Sequence, residues 1–550
     1  MRRRLFLLSA PVLSLFSAAL ADAQGLPPVP VPPGNPITVD KARLGKALFW
    51  DEQLSSTRTV SCGTCHVPTV GGIDPRSLDA AAGHPGFDGL FGGEDDVRGT
   101  LGVVANDAAG EYVAQEPFRL RPQVTGRSSP STINAAFAPT LFWDGRADST
   151  FLDPVTGAPV LAANAALESQ AVGPPLSDVE MGHLGRSWPD VVSRIAASAP
   201  LALATDVPDD LEQWIAGRPY PALFADAFGT PGISPARIAM AIATYERTLI
   251  SDQSPFDDFL SGNSSAMTSL QKTGMLLFQS QVTNCTACHA IPQFTNNAFR
   301  NIGVRPNAED EGQFAVTGNP NHHGRFKVPN LRNVALRAPY FHNGGMETLA
   351  DVVDFYDRGG DFHENQAPQI QELGLSAGQK AALVAFLEAL TDPRVVAGLP
   401  PFDRPTLYAE HDDVPASYGS PAAGTGGVAP RLLALEPPLV GNPSFTFALA
   451  DALGGATAWL AIDSQASATG DSLPLPIHLG LTPAFRLIPL GSLAGSGAGG
   501  GWLSLQSPIP TDASLDGLSV YLQAFVQDPG AALGVAATPG VEVRFFVPEN

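Results

Sequence analysis

The chain has 550 residues and a formal net charge of -22 at pH 7, from 32 Lys and Arg against 54 Asp and Glu. This length exceeds what one hydrophobic core holds, so roughly three or four domains are expected. The acidic balance argues against nucleic acid binding, which needs clustered basic residues. An acidic surface suits a protein that stays soluble or meets a basic partner.

The N-terminus predicts export. Three arginines at positions 2–4 precede an apolar run at 5–20, which ends in the small-residue stretch Ala21-Asp22-Ala23. This order is typical of a secretory signal peptide over residues 1–23, and the run is shorter than the roughly 20 residues that cross a bilayer. We therefore expect a periplasmic or secreted protein without a membrane span. An uncleaved N-terminal anchor is the alternative.

The next part of the chain predicts helices separated by long loops. Residues 24–39 form a Pro-rich lead-in, and folding is expected to begin near Asp40. A Ser234-Pro235 pair predicts one helix start, and Ser376 with Gln379 forms a capping box at another. The fold predicted for this part is mainly α.

A different composition follows residue 400. Residues 401–430 are rich in Gly, Ala and Pro and predict a linker. Residues 431–550 contain short β-type runs between Gly and Pro turns, which predicts an all-β, sandwich-like domain. We expect its lone His478 to be structural, because no cluster of chemical groups surrounds it in the sequence.

All four cysteines fall in two copies of one motif, Cys62-Gly63-Thr64-Cys65-His66 and Cys285-Thr286-Ala287-Cys288-His289. The spacing suits thioether bonds from both thiols to the vinyl groups of one haem, with the adjacent histidine as proximal iron ligand. Two disulfides, a four-cysteine zinc site or thioredoxin-like redox pairs are the alternatives. None of them accounts for a histidine after both pairs. The sequence therefore predicts two covalently bound haem c groups.

Further strings surround the two motifs in a fixed order: Leu44-Gly45-Lys46, Phe142-Trp143-Asp144-Gly145-Arg146, Val179-Glu180-Met181, Ser254-Pro255-Phe256-Asp257, Leu331-Arg332-Asn333 and Ala338-Pro339-Tyr340-Phe341-His342. Over about residues 44–392 the chain resembles the bacterial di-haem cytochrome c peroxidase family. The resemblance implies two cytochrome c-like domains: an N-terminal peroxidatic haem domain at 40–250 and a C-terminal electron-transfer haem domain at 251–400.

The resemblance also implies roles for three residues. Glu180 matches the carboxylate above the peroxidatic iron, Trp143 the tryptophan between the haems, and His84 a histidine that blocks the first iron at rest. Each has a plainer interpretation, as a surface acid, a core aromatic and a loop histidine respectively.

The family further implies a calcium ion between the domains. Its candidate ligands here are Ser128 and the backbone carbonyls near Arg337 and Pro339. Serine replaces the family's asparagine ligand and is a poorer oxygen donor than an amide, which weakens the calcium prediction.

One position departs from the peroxidases. Tyr356, seven residues after Leu349, stands where their methionine ligand to the second iron would lie. A phenolate favours Fe(III) and lowers the potential, whereas a thioether favours Fe(II). This tyrosine is similar to that of related enzymes which oxidise tryptophans of a partner protein during quinone-cofactor maturation. The alternative is that Tyr356 only packs and that Met346 or His363 binds iron.

These features predict a di-haem c-type peroxidase that reduces hydrogen peroxide to water. Its electrons would come from a small cytochrome c or cupredoxin, and a homodimer is one possible assembly. Two other functions remain open: a di-haem oxidase acting on a partner protein or organic substrate, and a non-catalytic electron-transfer cytochrome.

Overall fold

The computed structural model describes residues 25–78, 83–87, 91 and 96–548, so the predicted signal peptide lies outside the described residues. Within these ranges, no helix has both the length and the apolar character that crossing a membrane requires. The helices are α1 Val39–Trp50, α2 Cys62–Cys65, α3 Ala166–Ala171, α4 Trp188–Ala197, α5 Asp209–Ile215, α6 Tyr220–Phe228, α7 Pro235–Glu246, α8 Pro255–Leu260, α9 Ser269–Phe278, α10 Phe314–Thr317, α11 Leu349–Asp357, α12 Ala377–Glu388 and α13 Pro393–Val396.

The strands fall into two groups. Short hairpin strands lie between the helices: β1 Leu101–Val104, β2 Pro122–Val124, β3 Phe151–Leu152, β4 Pro159–Leu161, β5 Phe299–Arg300 and β6 Phe326–Lys327. Longer strands follow: β7 Ala416–Tyr418, β8 Arg431–Ala434, β9 Thr446–Ala452, β10 Thr457–Asp463, β11 Arg486–Ser492, β12 Gly501–Gln506, β13 Ser519–Gln527, β14 Val535–Ala537 and β15 Gly540–Arg544.

Each Cys-x-x-Cys-His motif follows one member of a crossing helix pair. Helix α1 precedes the first motif and packs on α7, while α9 precedes the second motif and packs on α12. All four helices begin at a side-chain cap, supplied by Thr38, Ser234, Thr268 and Ser376. The caps satisfy backbone N–H groups that would otherwise lack partners, which fixes where each helix starts. The helix starts predicted at Ser234 and Ser376 are thereby confirmed.

A glycine lies at the contact point of each crossing. A Cβ at Gly45 would lie 1.9 Å from the carbonyl oxygen of Ala241, and one at Gly274 would lie 1.8 Å from that of Ala382. These positions admit no side chain, so the backbones approach more closely than any larger residue would allow. The two helical halves are therefore built on the same local contact.

The halves meet at two buried asparagines. Asn134 Nδ2 donates to the carbonyl of Ser251 at 3.0 Å and its Oδ1 accepts from the Ser251 N–H at 2.9 Å. Asn333 Nδ2 donates to the Ser251 hydroxyl at 2.9 Å. Both asparagines have left-handed backbones, with φ of 61° and 59°, a conformation that asparagine adopts more readily than most residues. One short segment therefore ties both halves together.

The C-terminal region is β-rich, as predicted. One sheet has the order β12-β9-β8, the other has the order β11-β10-β13-β15-β7 with β14 beside β13, and all pairings are antiparallel. The two sheets share one apolar core that includes Leu432, Phe447, Leu460 and Leu522. His478 is buried in this region and its Nε2 lies 2.8 Å from the carbonyl oxygen of Ser420.

The segment predicted as a linker is packed rather than free. Phe402 and Leu407 join the core of the first helical half. The backbone N–H of Tyr408 donates to the carboxylate of Glu52 at 2.7 Å, and β7 adds a strand to the larger sheet. The start of this segment thus packs on the helical region, and its β7 strand belongs to the β-region.

The loop between β1 and β2 shares a core with the β-region. Val104, Tyr112 and Leu120 are buried against Ala448 and Ala450 of β9. Backbone groups of the loop also bond to it: the Tyr112 N–H donates to the hydroxyl of Ser504 at 2.9 Å. The loop that follows the first haem motif is therefore part of the domain contact.

Helix accounts for 28% and strand for 18% of the chain. The prediction of a mainly α fold is therefore confirmed only in part, since loops make up most of both helical halves. Long loops supply much of the wall of the cavity described below. The β-rich C-terminal region is confirmed.

We expect Gly274→Ala to lower the free energy of unfolding by about 1–3 kcal/mol, because the added methyl group collides with the carbonyl of Ala382. Gly378→Ala in α12 is the matched control, since a Cβ there meets nothing within 4 Å. It should be neutral or stabilising by up to about 1 kcal/mol. Urea unfolding of the holoprotein measures both, and equal effects would contradict the proposed close contact.

The raised pKa of the Glu436 carboxyl predicts that the contact between the β-region and the helical region depends on pH. Burial raises its pKa to about 8, opposed by the charge of Arg58, whose guanidinium nitrogen lies 3.8 Å away, and by a hydrogen bond from Ser444. A raised folded-state pKa contributes stability at low pH that is lost as the pH rises through about 8. We expect Glu436→Gln to weaken the fall in unfolding free energy between pH 6 and pH 9. An unchanged fall would show that other groups cause it.

Candidate active site

Both Cys-x-x-Cys-His motifs open onto one continuous cavity of about 890 Å³. Its walls include every cysteine and histidine of the two motifs, together with the predicted site residues Trp143, Glu180 and Tyr356. Residues that are far apart in sequence are thus brought to one interior space, as a two-haem centre requires.

Local structure aims the first pair of thiols at this cavity. Ser61 caps the short helix α2 in a capping box with Thr64, which fixes the turn that carries Cys62 and Cys65. Gly63 lies against the indole of Trp50, where a Cβ would be 2.1 Å from the ring. The second motif forms a 3₁₀ turn at Cys285–Ala287 after Asn284, which has φ 52°.

The two motif histidines have the geometry of iron ligands. The Nδ1 of His66 lies 3.2 Å from the carbonyl oxygen of Gly72, and the Nδ1 of His289 lies 2.9 Å from that of Phe294. Such a contact holds the ring and leaves Nε2 free for a metal. Burial lowers the pKa of both imidazoles, that of His289 to about 4. Both rings are therefore neutral, as a metal ligand must be.

The thiols fit haem attachment better than the other uses. All four cysteines are free, and burial raises the pKa of Cys65 to about 12 and that of Cys285 to about 11. Within the described ranges, no group of three or more His, Cys, Asp and Glu side chains is arranged to hold a metal ion. The donor set thus fits two porphyrins rather than a four-cysteine zinc site.

Glu180 is a half-buried acid on the wall of the same cavity. Burial raises the pKa of its carboxyl, while a hydrogen bond with Ser177 and the positive charge of Arg146 oppose this shift. Its backbone is fixed from the other side, because its carbonyl accepts from the N–H of Val103 in β1 at 3.2 Å. A carboxyl with a raised pKa in a cavity is suited to acid-base chemistry.

Aromatic rings lie together in the cavity wall around Trp143. Its indole N–H donates to the carbonyl of Ser128 at 2.8 Å, and the ring of His342 is edge-on to it at 6.3 Å. Phe326 in turn stacks on His342 at 3.6 Å. Burial lowers the pKa of His342 to about 4. This is therefore a neutral, closely packed group of rings.

Tyr356 lines the cavity near the second motif. Burial raises the pKa of its phenol, and the thiols of Cys285 and Cys288 raise it further. Neither Met346 nor His363, the other candidates for the second iron, is among the residues that line the cavity. The geometry thus favours Tyr356 among the three.

The candidate calcium ligands lie in the wall of the same cavity. Ser128, Arg337 and Pro339 all line the cavity. A Cβ at Gly344 would lie 3.1 Å from the Ser128 hydroxyl and 3.2 Å from the Pro339 ring, so these two residues are neighbours.

His84 is not brought to this centre. It is absent from the cavity wall, and its ring lies edge-on to Phe118 at 5.0 Å. Its Nδ1 is buried without a hydrogen bond. The described position of His84 therefore does not place it over the first motif.

Three charged residues of the cavity wall escaped the sequence reasoning. Burial raises the pKa of Glu246 to about 8, and its Oε2 has no hydrogen-bond partner. Burial also lowers the pKa of Lys327 to about 8, and Arg127 bridges Asp144 and Asp310 at 2.7 Å each. Of these three residues, only Glu246 could have been found from the sequence, because it follows Tyr245 on the buried side of α7.

Known proteins share this arrangement. A sequence model of the family named Di-haem cytochrome c peroxidase matches residues 39–265. The methylamine utilization protein MauG of Methylorubrum extorquens is 32% identical over 374 residues, which cover 68% of this chain and 84% of MauG. This chain belongs to the di-haem cytochrome c peroxidase family. It is accordingly an oxidoreductase with haem c cofactors.

Two further relatives also match most, but not all, of this chain. The cytochrome-c peroxidase IdrP1 of a Pseudomonas species is 28% identical, over 75% of this chain and 97% of IdrP1. Among solved structures, a MauG-like protein associated with microbial copper homeostasis matches with a TM-score of 0.50 and 26% identity, over 70% of this chain and 97% of that protein. These two matches leave 25% and 30% of this chain uncovered.

Proposed function

We propose that the protein is a periplasmic di-haem c-type peroxidase that reduces hydrogen peroxide to water with electrons from a small redox protein, a cytochrome c or a cupredoxin. The observation that carries the proposal is the carboxyl of Glu180, whose pKa is raised, on the wall of the cavity that also contains His66. A peroxidase needs an accessible iron with an acid-base group beside it.

The haem on Cys62 and Cys65 would supply a redox-active iron that takes up peroxide and cleaves its O–O bond. Glu180 accepts a proton from one peroxide oxygen and returns it to the other, so that the departing oxygen leaves as water. Burial supports this role because it raises the pKa of Glu180, which makes the carboxyl a better proton acceptor. His66, held by the carbonyl of Gly72, keeps its ring orientation throughout.

Electrons reach the first motif from the second through the ring group around Trp143. Its indole is fixed by Ser128, and Lys327 N–H donates to the Trp143 carbonyl at 2.8 Å. A fixed, desolvated ring changes its surroundings little on gaining or losing an electron, which favours rapid transfer. Ser128 and the carbonyls near Arg337 and Pro339 would hold a calcium ion beside this path. We further propose that the protein assembles as a homodimer.

Replacing Glu180 with Gln should lower the rate of peroxide reduction by about 10²- to 10⁴-fold while both haems stay bound. The matched control is Asp178→Asn, because Asp178 is exposed on the same segment and does not line the cavity. Steady-state peroxide consumption and the optical spectrum measure the two effects. Unchanged turnover in Glu180→Gln would remove this carboxyl from the mechanism.

One observation favours a second candidate function, oxidation of a partner protein or organic molecule. Tyr356 shares the cavity with His289, and it stands where the resemblance implies a methionine ligand in the peroxidases. An oxygen ligand stabilises ferric iron and lowers its potential, which disfavours electron uptake from an ordinary donor. Product formation on a partner in the absence of any cytochrome donor would support this candidate over the peroxidase.

Tyr356→Phe should leave the second iron without its sixth ligand, so its ferric EPR signal should become high-spin and its reduction potential should rise. The first haem's signal should not change. Tyr521→Phe, which removes a phenol that bonds to Glu542 in the β-region, is the control. An unaltered second-haem spectrum in Tyr356→Phe would show that the tyrosine only packs.

A further inference from the structure

A second, polar pocket adjoins the haem cavity. Its volume is about 330 Å³, and its walls are Arg300, Asn301, Arg325 and residues 365–369. Arg300 and Gln369 belong to the walls of both spaces. Arg300 also reaches the second haem motif, since its charge and hydrogen bond oppose the rise that burial causes in the pKa of Cys288. The pocket therefore borders the second haem motif at Cys288.

The amide groups of this pocket are already committed to its frame. Asn301 Nδ2 donates to the side-chain oxygen of Asn307 at 2.8 Å, Gln366 Nε2 donates to the carbonyl of Gly359 at 2.8 Å, and Asn365 Nδ2 donates to that of His323 at 2.8 Å. These bonds hold the segment 365–369 in place. Among the donors of the pocket, the two guanidinium groups are the charged ones, and the Gln369 amide lies beside them.

The two arginines lack acidic partners. In the part of the chain that the structure describes, the Arg325 side chain makes neither a hydrogen bond nor an ion pair, and that of Arg300 donates only to the Phe299 carbonyl, at 2.9 Å, and to the Cys288 sulfur. Nearby arginines are paired, as Arg305 is with Glu309 at 2.6 Å. In a chain with a net charge of -22, two uncompensated guanidinium groups facing one cavity favour a carboxylate-like anion, whose geometry they match.

We propose that this pocket binds a small organic carboxylate or enediolate anion that donates electrons to the second haem, beside any protein donor. The inference rests on the proposed function and names a class of reductant for it. The haem that Cys285, Cys288 and His289 would hold would take one electron from the bound anion, which is thereby oxidised to its radical, and the proton that the radical releases goes to solvent. Two such transfers supply the two electrons that each peroxide consumes. The pocket's volume is within the range of small-molecule sites.

Stopped-flow reduction of the ferric holoprotein tests this with ascorbate as the anionic probe and hexaammineruthenium(II) as the cationic one. The rate with ascorbate should saturate, and malonate should inhibit it competitively without slowing the ruthenium reaction. Arg325→Gln should lower the ratio of the ascorbate rate to the ruthenium rate about tenfold, the loss expected for one charge-assisted hydrogen bond. Arg305→Gln, which removes the same charge outside the pocket, should leave the ratio unchanged.

A linear dependence on ascorbate, equal inhibition of both reductants by malonate, or equal ratios in Arg325→Gln and Arg305→Gln would each overturn the proposal. If Arg325→Gln does not fold, Arg325→Lys keeps the charge without the fork and should give a smaller loss. Peroxide consumption driven by hexaammineruthenium(II) tests the peroxidase separately. If it proceeds while ascorbate fails to saturate, the pocket assignment alone is lost.

Discussion

Backbone contact at two glycines is the constraint on which the haem cavity depends. At Gly45 the crossing sets the position of Trp50 at the end of α1, whose indole N–H donates to the Tyr245 hydroxyl at 3.1 Å. The same indole packs on Gly63 inside the first motif. A displacement of the two helices at this crossing would therefore also displace the thiols of the first motif. At Gly274 the equivalent crossing leads through Phe278, which lies 6.5 Å from the His289 ring. Each iron site is positioned by its own helix pair.

Strand β1 extends this dependence to the C-terminal region. On one side, Gly102 lies so close to the segment 179–180 that a Cβ would be 1.8 Å from the Val179 carbonyl oxygen. On the other side, Val104 packs in the core that the strand's loop shares with Ala448 and Ala450. The same short strand thus touches both the Glu180 backbone and the β-region. The C-terminal β-region is for this reason packed against the same strand that supports the wall of the cavity at Glu180.

The sequence was informative where chemistry or capping restricts the choice of residues. A paired Cys-x-x-Cys-His motif has few other uses, and the caps at Ser234 and Ser376 follow from local backbone rules, so both were predictable. Glu180, Trp143 and Tyr356 came from the resemblance, and all three line one cavity. The position of His84 was not predictable, because it depends on packing against Phe118 within a long loop. The low helix content also escaped prediction, since periodicity reports helices but not the length of loop that a large cofactor can organise.

Charge balance explains why two positively charged side chains lie in the mostly apolar wall of the cavity. Burial lowers the pKa of Lys327 to about 8 and that of Arg337 to about 10, so their charged forms are disfavoured in this wall. A haem would bring two propionate carboxylates, and an anion beside a buried cation restores its charged form. The porphyrins that the two motifs would hold would therefore offset the electrostatic cost of these cations. The same charges that are costly to the polypeptide would then favour the bound cofactor.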